Sequence, residues 1–329
     1  MIEIPALLAV LPQPDESARA AIAERAARVL RPLRAFERLD DVAVWLAGWQ
    51  CTTTPDVTRP AVAVFVADHG VAARGVSAYP QDVTVAMHRA LEEGVATVSA
   101  IAATIGASVC VVDVGVGHPT GDITVEEAMS RDTFAASFET GRATVRSLDT
   151  DLLVLGEMGI GNTTAAAAVA AALFGLRADD WTGRGTGIDD ATYRRKIALV
   201  ERARSRVNVS DPLEVLRELG GTEMVAIAGA VLEARLRSIP VVLDGFVVGA
   251  AVAPLEVARP GALDHCIAGH RSPEPGHALL LEKLGRSPLL DLDLRLGEGS
   301  GALAAVPLIR VAARAVTGVA TFEEWGLPR

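Results

Sequence analysis

From residue 61 onward, apolar runs too short for helices alternate with long stretches rich in helix formers, and an acid stands close behind each run. The runs are 61–67, 108–112, 152–155 and 240–243, and the acids are Asp68, Asp113, Glu157 and Asp244. This rhythm predicts a parallel sheet covered by helices on both faces, an α/β fold. In such a sheet the ligand crevice lies beyond the carboxyl ends of the strands, so the four carboxylates are expected on one rim. Taken singly, any of them could instead cap a following helix. Helices are expected at 84–105, 165–174, 193–207, 223–237 and 302–315. Ahead of the alternation, 16–33 and 39–49 read as helical, and 51–60, with two prolines and four threonines, reads as a loop.

Three glycine-rich turns carry the chemistry. The stretch 151–164 runs from a buried strand through Gly159 and Gly161 into an alanine-rich helix, with Asn162, Thr163 and Thr164 at the cap position. Backbone N–H groups at such a helix start suit a phosphate. A bare strand-to-helix turn is the plainer reading, because the third glycine of the dinucleotide fingerprint is missing and the chain has no Gly-x-x-x-x-Gly-Lys-Ser/Thr loop. Glu157 would repel a phosphate and is better matched to ribose hydroxyls. A second turn, Gly183-Arg-Gly-Thr-Gly187, precedes a helix carrying Lys196; it offers further donors, with Lys196 as compensating charge. In the third, Gly297-Glu-Gly-Ser-Gly301, glycines around Glu298 leave its carboxylate uncrowded at a pocket mouth, where apolar surroundings would lift its pKa. The alternative is a solvated glutamate in a flexible turn.

Charge and cysteine usage narrow the partners. A net charge of −10 argues against nucleic acid, and the basic run Arg194-Arg195-Lys196 reads as a solvated helix face. No stretch approaches the ~20 apolar residues of a membrane span, and no signal peptide is evident. Cys51, Cys110 and Cys266 are scattered, which suits a reducing cytoplasm. Residues 254–277 look like an excursion from the sheet. There His265, Cys266, His270 and His277 fit no strong zinc spacing, so a polar loop is preferred and no metal is assigned. His69, at a strand end, could touch ligand or bond a backbone carbonyl. The alternating run 289–296 reads as a half-buried strand or an extended approach to the third turn. No Ser-His-Asp or Cys-His set can be ordered from the chain alone.

Taken together, Ala67-Asp-His-Gly-Val71, Gly75-Val-Ser-Ala-Tyr-Pro80, Gly156-Glu-Met-Gly-Ile-Gly-Asn-Thr-Thr164, Gly183-Arg-Gly-Thr-Gly-Ile-Asp-Asp190, Val241-Val-Leu-Asp-Gly245, His270-Arg-Ser, Glu274-Pro-Gly-His277 and Leu296-Gly-Glu-Gly-Ser-Gly301 resemble the nicotinate-nucleotide:dimethylbenzimidazole phosphoribosyltransferase family of cobalamin lower-ligand synthesis. The resemblance runs from about residue 39 to 315. It implies a Rossmann-like parallel sheet flanked by helices (59–300), a small helical domain drawn from both chain ends (1–58 and 301–329), and a homodimer. It also implies a cytoplasmic enzyme needing no cofactor, whose substrates are nicotinate mononucleotide and an aromatic base.

By the same resemblance, Glu298 is the general base that takes the ring N–H proton of the acceptor while the anomeric carbon of the nucleotide loses nicotinate. Attack from the opposite face would turn the β-nucleotide into an α-riboside phosphate. Glu157, Gly159, Gly161, Asn162, Thr163, Gly185, Thr186 and Lys196 would cradle the nucleotide. Ser77, Tyr79, Ala86 and Leu296 would line the acceptor pocket. The chain departs from the family pattern twice. Arg31-Pro-Leu-Arg-Ala-Phe-Glu37 stands in place of a Lys-Pro-Pro-Gly-Ser-Leu-Gly stretch, and Ala86 replaces a glutamine in a Val-Thr-x-Gln-Met motif. The second change leaves a different acceptor open: a purine, another azole or a phenol. A non-catalytic homologue that binds nucleotide is a further alternative.

Overall fold

The computed structural model describes residues 4–185, 187–208 and 210–328. Along the chain come helices α1 (Ile4–Ala9), α2 (Glu16–Ala26) and α3 (Glu37–Gln50), then strand β1 (Pro60–Val66), α4 (Val83–Glu92), α5 (Thr97–Ile105), β2 (Ser108–Asp113), α6 (Arg131–Ser147) and β3 (Leu152–Met158). They are followed by α7 (Asn162–Phe174), α8 (Ala178–Trp181), α9 (Asp190–Arg206), α10 (Pro212–Leu219), α11 (Thr222–Leu236), β4 (Val241–Leu243), α12 (Phe246–Ala258), β5 (Cys266–His270), α13 (Pro275–Lys283), β6 (Pro288–Leu290) and α14 (Ser300–Thr317).

The six strands form one sheet in the order β2-β1-β3-β4-β5-β6, and every pairing is parallel. The chain steps outward from β1 to β2, then returns to the other side of β1 for β3. The reversal therefore lies between β1 and β3, where Val66 pairs with Met158 at the carboxyl end. A doubly wound sheet opens its ligand crevice at that place.

The period-2 pleat divides the core in two. Leu153 and Leu155 join Phe65 and helices α7, α11 and α12 on one face, while Leu152 and Val154 join Val62, Val64 and helices α3, α5 and α14 on the other. Alanine and glycine, rather than aromatics, set the layer spacing. At the α6–α11 crossing, a Cβ on Gly141 would overlap the Ala226 carbonyl and one on Gly229 would overlap that of Phe138. By length and composition α14 could cross a membrane. Its apolar side, from Ala302 through Val316, is instead buried in the second core cluster. Both chain ends meet there: α2 and α3 pack on α14, an isolated bridge joins Val29 to Thr321, and Arg25 bonds Glu324 and the Val319 carbonyl.

Several sequence expectations are corrected. The helix expected over 84–105 is two, because Gly94 takes φ +71 and Ala96 is extended. That expected over 16–33 stops at Ala26. Residues 254–277 make no excursion. Pro254 lies inside α12, and Cys266–His270 is a buried inner strand. Gly269 of that strand has no side chain because a Cβ would come 2.6 Å from the Ala302 Cα. In 289–296 the ladder ends at Leu290, and Asp293, at φ 55, turns the chain out of strand geometry.

Candidate active site

A cavity of about 450 Å3 opens over the carboxyl ends of β3, β4 and β5. The Glu157–Gly161 turn forms its floor. Gly161, at φ +98, is the N-cap of α7, in a left-handed conformation that costs glycine little. The side chains of Asn162, Thr163 and Thr164 do not cap the helix as expected; Asn162 instead gives its amide N–H to the Glu157 carboxylate. The N–H groups of Gly161 and Thr163 have no acceptor among the described residues, so two unpaired donors stand at the positive end of a helix, on residues that line the cavity.

At one end of the cavity Lys196 donates to the Thr163 hydroxyl (2.9 Å) and the Gly183 carbonyl (3.1 Å). Burial pulls its pKa down to about 8, opposed by the Glu274 carboxylate. Glu274 accepts the Gly185 N–H at 2.8 Å. Arg184 also lines this end and pairs with Asp190. Thr186 lies outside the described residues.

Glu298 lines the other end. It is 3 % exposed, and its backbone, at φ 67, is in a region that non-glycine residues rarely occupy. Two contacts hold it there. Its N–H donates to the Glu157 carbonyl at 3.0 Å, and Asp244 accepts the N–H groups of Gly299 (3.2 Å) and Ala302 (2.8 Å). One carboxylate oxygen, Oε2, has no partner among the described residues. Burial raises the Glu298 pKa, the Val98 N–H opposes that shift, and Asp244 adds to it. Glu157 lies well above the ordinary carboxylate range, first through burial and then through repulsion by Glu223, Asp244 and Glu298. Among the four carboxyls that line this cavity, Glu157, Asp244, Glu274 and Glu298, Glu157 is held toward its neutral form and Glu298 keeps an oxygen with no acceptor or donor partner among the described residues.

Ser77, Tyr79, Val83, Met87 and Leu296 wall the cavity between these ends. Ala86 does not. It is exposed on α4, outside the wall that Val83 and Met87 form one helical turn apart. Of the remaining residues singled out in the sequence, Glu157, Gly159, Gly161, Asn162, Thr163, Gly185, Lys196 and Glu298 all line the one cavity.

The four strand-end acids divide. Glu157 and Asp244 reach the cavity, whereas Asp68 accepts the Gly117 N–H and Asp113 the N–H groups of Gly115 and Val116, both closing turns. His270, Ser272 and Glu274 also line the cavity; the sequence marks them only as parts of the His270-Arg-Ser and Glu274-Pro-Gly-His277 motifs and gives them no site role, because the strand that leads to them has no clear local signal. His265 bonds the Val231 carbonyl and His277 accepts the Ser272 N–H; burial drives both to about 3, so they are neutral. Among the described residues no three His, Cys, Asp or Glu side chains gather as a metal site. Among the described residues the His69 ring bonds no backbone carbonyl; it pairs with Glu223.

Comparison with known proteins agrees with this architecture. A phosphoribosyltransferase family model matches residues 11–327. The chain is 47% identical over 323 residues to a nicotinate-nucleotide–dimethylbenzimidazole phosphoribosyltransferase of Brucella anthropi, covering 98% of this chain and 95% of that protein. It is also 47% identical over 324 residues to the one from Cereibacter sphaeroides, covering 98% and 96%. A crystal structure of CobT from Thermus thermophilus superposes with a TM-score of 0.91 at 43% identity, covering 95% of this chain and 99% of that one.

Proposed function

The chain belongs to this phosphoribosyltransferase family, and on that premise we propose that it moves the 5-phosphoribosyl group of nicotinate mononucleotide to a ring nitrogen of 5,6-dimethylbenzimidazole or a similar base. The observation that carries the reading is one cavity lined both by a cation, Lys196, beside the unpaired backbone N–H groups of Gly161 and Thr163, and by a buried carboxylate, Glu298, with a free oxygen among the described residues. In this reading the 5'-phosphate lies against Thr163, Gly185 and Lys196. Glu157, held neutral, hydrogen-bonds the ribose, and the acceptor ring stacks among Tyr79, Met87 and Leu296. The acceptor nitrogen attacks the anomeric carbon as the bond to nicotinate breaks. That electron pair neutralises the pyridinium nitrogen, and the acceptor N–H proton passes to Glu298. The charged leaving group leaves little for the protein beyond positioning and proton removal.

Incubation with nicotinate mononucleotide and a panel of acceptors, followed by nicotinate release, tests this function. Dimethylbenzimidazole is expected to be the preferred acceptor, giving the α-riboside phosphate. Preference for a purine, another azole or a phenol would move the assignment to the same donor chemistry with a different acceptor. The wall that α4 presents, Val83 and Met87 without a polar partner from Ala86, favours an apolar ring. No release with any acceptor would favour a homologue that only binds nucleotide.

The pH dependence follows from the two ends. Lys196 must be charged to hold phosphate, and its pKa is about 8, so nucleotide KM is expected to rise as pH climbs through that value. Glu298 must be ionised, and its pKa is raised, so kcat is expected to fall as pH drops through a value above the ordinary glutamate range. A pH profile of KM and kcat, repeated on Lys196→Met, checks both limbs; the variant should lose the basic KM limb alone. We propose a homodimer working in the cytoplasm on the strength of the family resemblance, with edge strand β2, whose Val109 is exposed, as one open surface. Sedimentation at micromolar concentration reads the oligomeric state.

A further inference from the structure

One buried pair remains unused by this mechanism. His69 Nε2 lies 2.9 Å from Glu223 Oε1, and the two side chains are 1% and 0% exposed. Both keep a second polar atom, His69 Nδ1 and Glu223 Oε2, with no partner among the described residues. Burying two such groups costs several kcal/mol before their attraction offsets it, so packing alone does not explain them. Neither residue lines the cavity.

The surroundings of the ring point to what it does. A Cβ on Gly159 would lie 3.3 Å from His69 Cδ2 and Nε2 and 2.5 Å from the Ala67 carbonyl. One on Gly161 would lie 3.3 Å from His69 Cβ, and one on Gly221 would overlap both His69 Cε1 and Glu223 Oε2. The imidazole is thus wedged between the underside of the 159–161 turn and the start of α11, with a glycine on each side. Glu223 occupies the first turn of α11, where the helix dipole favours a carboxylate, and fixes the ring from below. Sequence order adds to the leverage. His69 follows β1 and the turn follows β3, so the wedge bridges the two strands that flank the topological reversal.

We propose that His69 and Glu223 form a positioning pair for the nucleotide turn: the ring sets the height and tilt of the 159–161 backbone, Glu223 locks the ring, and neither touches substrate. The proposal rests on the reading of this turn as the nucleotide's cradle. Contacts made through the turn hold the donor in ground and transition states alike, so their loss raises donor KM more than it lowers kcat. A bond from the Ile160 N–H to the Thr84 hydroxyl of α4 (3.2 Å) ties the turn to the acceptor wall, so acceptor KM is expected to move less than donor KM rather than not at all.

The test is a steady-state comparison of the full chain with His69→Ala, Glu223→Ala and His69→Gln. The last fills much of the ring's volume, can still bond Glu223, and serves if the alanine variants fail to fold. The alanine variants are expected to raise KM for nicotinate mononucleotide about tenfold and His69→Gln at least threefold, with a clearly smaller change in acceptor KM. A fall in kcat or melting temperature with both KM values intact would reduce the pair to a structural role and overturn the proposal, as would equal shifts of both KM values. Calorimetric binding of nicotinate mononucleotide without acceptor separates this from the functional reading. Wild-type binding without nicotinate release with any acceptor would sink the proposed reaction yet still let the Kd ratios decide on the pair. Absence of wild-type binding would overturn both.

Discussion

Glu298→Gln should lower kcat for nicotinate release by about 10²- to 10⁴-fold, the usual contribution of a positioned general base, while changing nucleotide KM little. The substitution keeps size, keeps the N–H bond to the Glu157 carbonyl, and meets the same backbone strain at φ 67, so folding is not the variable. It removes only the ability to accept a proton. A residue under strain in a buried site needs a compensating return, and here the strain points a carboxylate with one free oxygen into the cavity. Steady-state nicotinate release reads the effect; a loss under threefold would remove Glu298 from proton transfer. Its melting curve should match that of the wild type.

Gly156→Ala should be nearly as damaging by another route. Gly156 lies in β3 with fully buried neighbours, and a methyl there would overlap the backbone of Glu298 and Gly299. Backbone cannot rotate aside as a side chain can, so either the strand or the Glu298 turn must shift. Overpacking of this kind costs about 1–3 kcal/mol. The larger effect falls on rate, because displacing a catalytic group by ~1 Å can cost about 10²-fold. We expect a melting point lower by a few degrees and kcat reduced about 100-fold. Thermal unfolding and turnover on the same sample check both, and wild-type turnover would show that Glu298 does not depend on this contact.

The two substitutions expose a link that the sequence alone does not contain. The Glu157 turn and the Glu298 turn stand far apart in the chain, yet the Glu298 N–H bonds the Glu157 carbonyl and Gly156 lies directly beneath. Each turn is legible by itself, since glycines around a lone carboxylate stand out against alanine, valine and leucine. The parallel sheet is legible too, because β1 and β3 are continuous apolar runs closed by acids. What escapes is marked by weak or competing local signals. The strand Cys266–His270 contains glycine, alanine and histidine and looks like a loop; it becomes a strand through burial between β4 and β6. His270, Ser272 and Glu274 are visible as motif residues, but their place on the cavity wall is lost with it. Ala86 stands out by its place in a motif, and only helical geometry shows that Val83 and Met87 form the wall. Asp68 and Asp113 read like Glu157 and Asp244, but which acids close turns and which reach the cavity depends on the fold.

The most direct test is a crystal structure of the protein with nicotinate mononucleotide and dimethylbenzimidazole bound. Phosphate is expected at Lys196, Thr163 and Gly185, the ribose over Glu157, the acceptor's lone-pair nitrogen facing the anomeric carbon, and the Glu298 carboxylate within about 2.6–3.2 Å of its N–H nitrogen, or one water away. A nucleotide bound the other way round, with its phosphate beside Glu298, would contradict the proposed reaction, and so would an acceptor N–H nitrogen out of that carboxylate's reach.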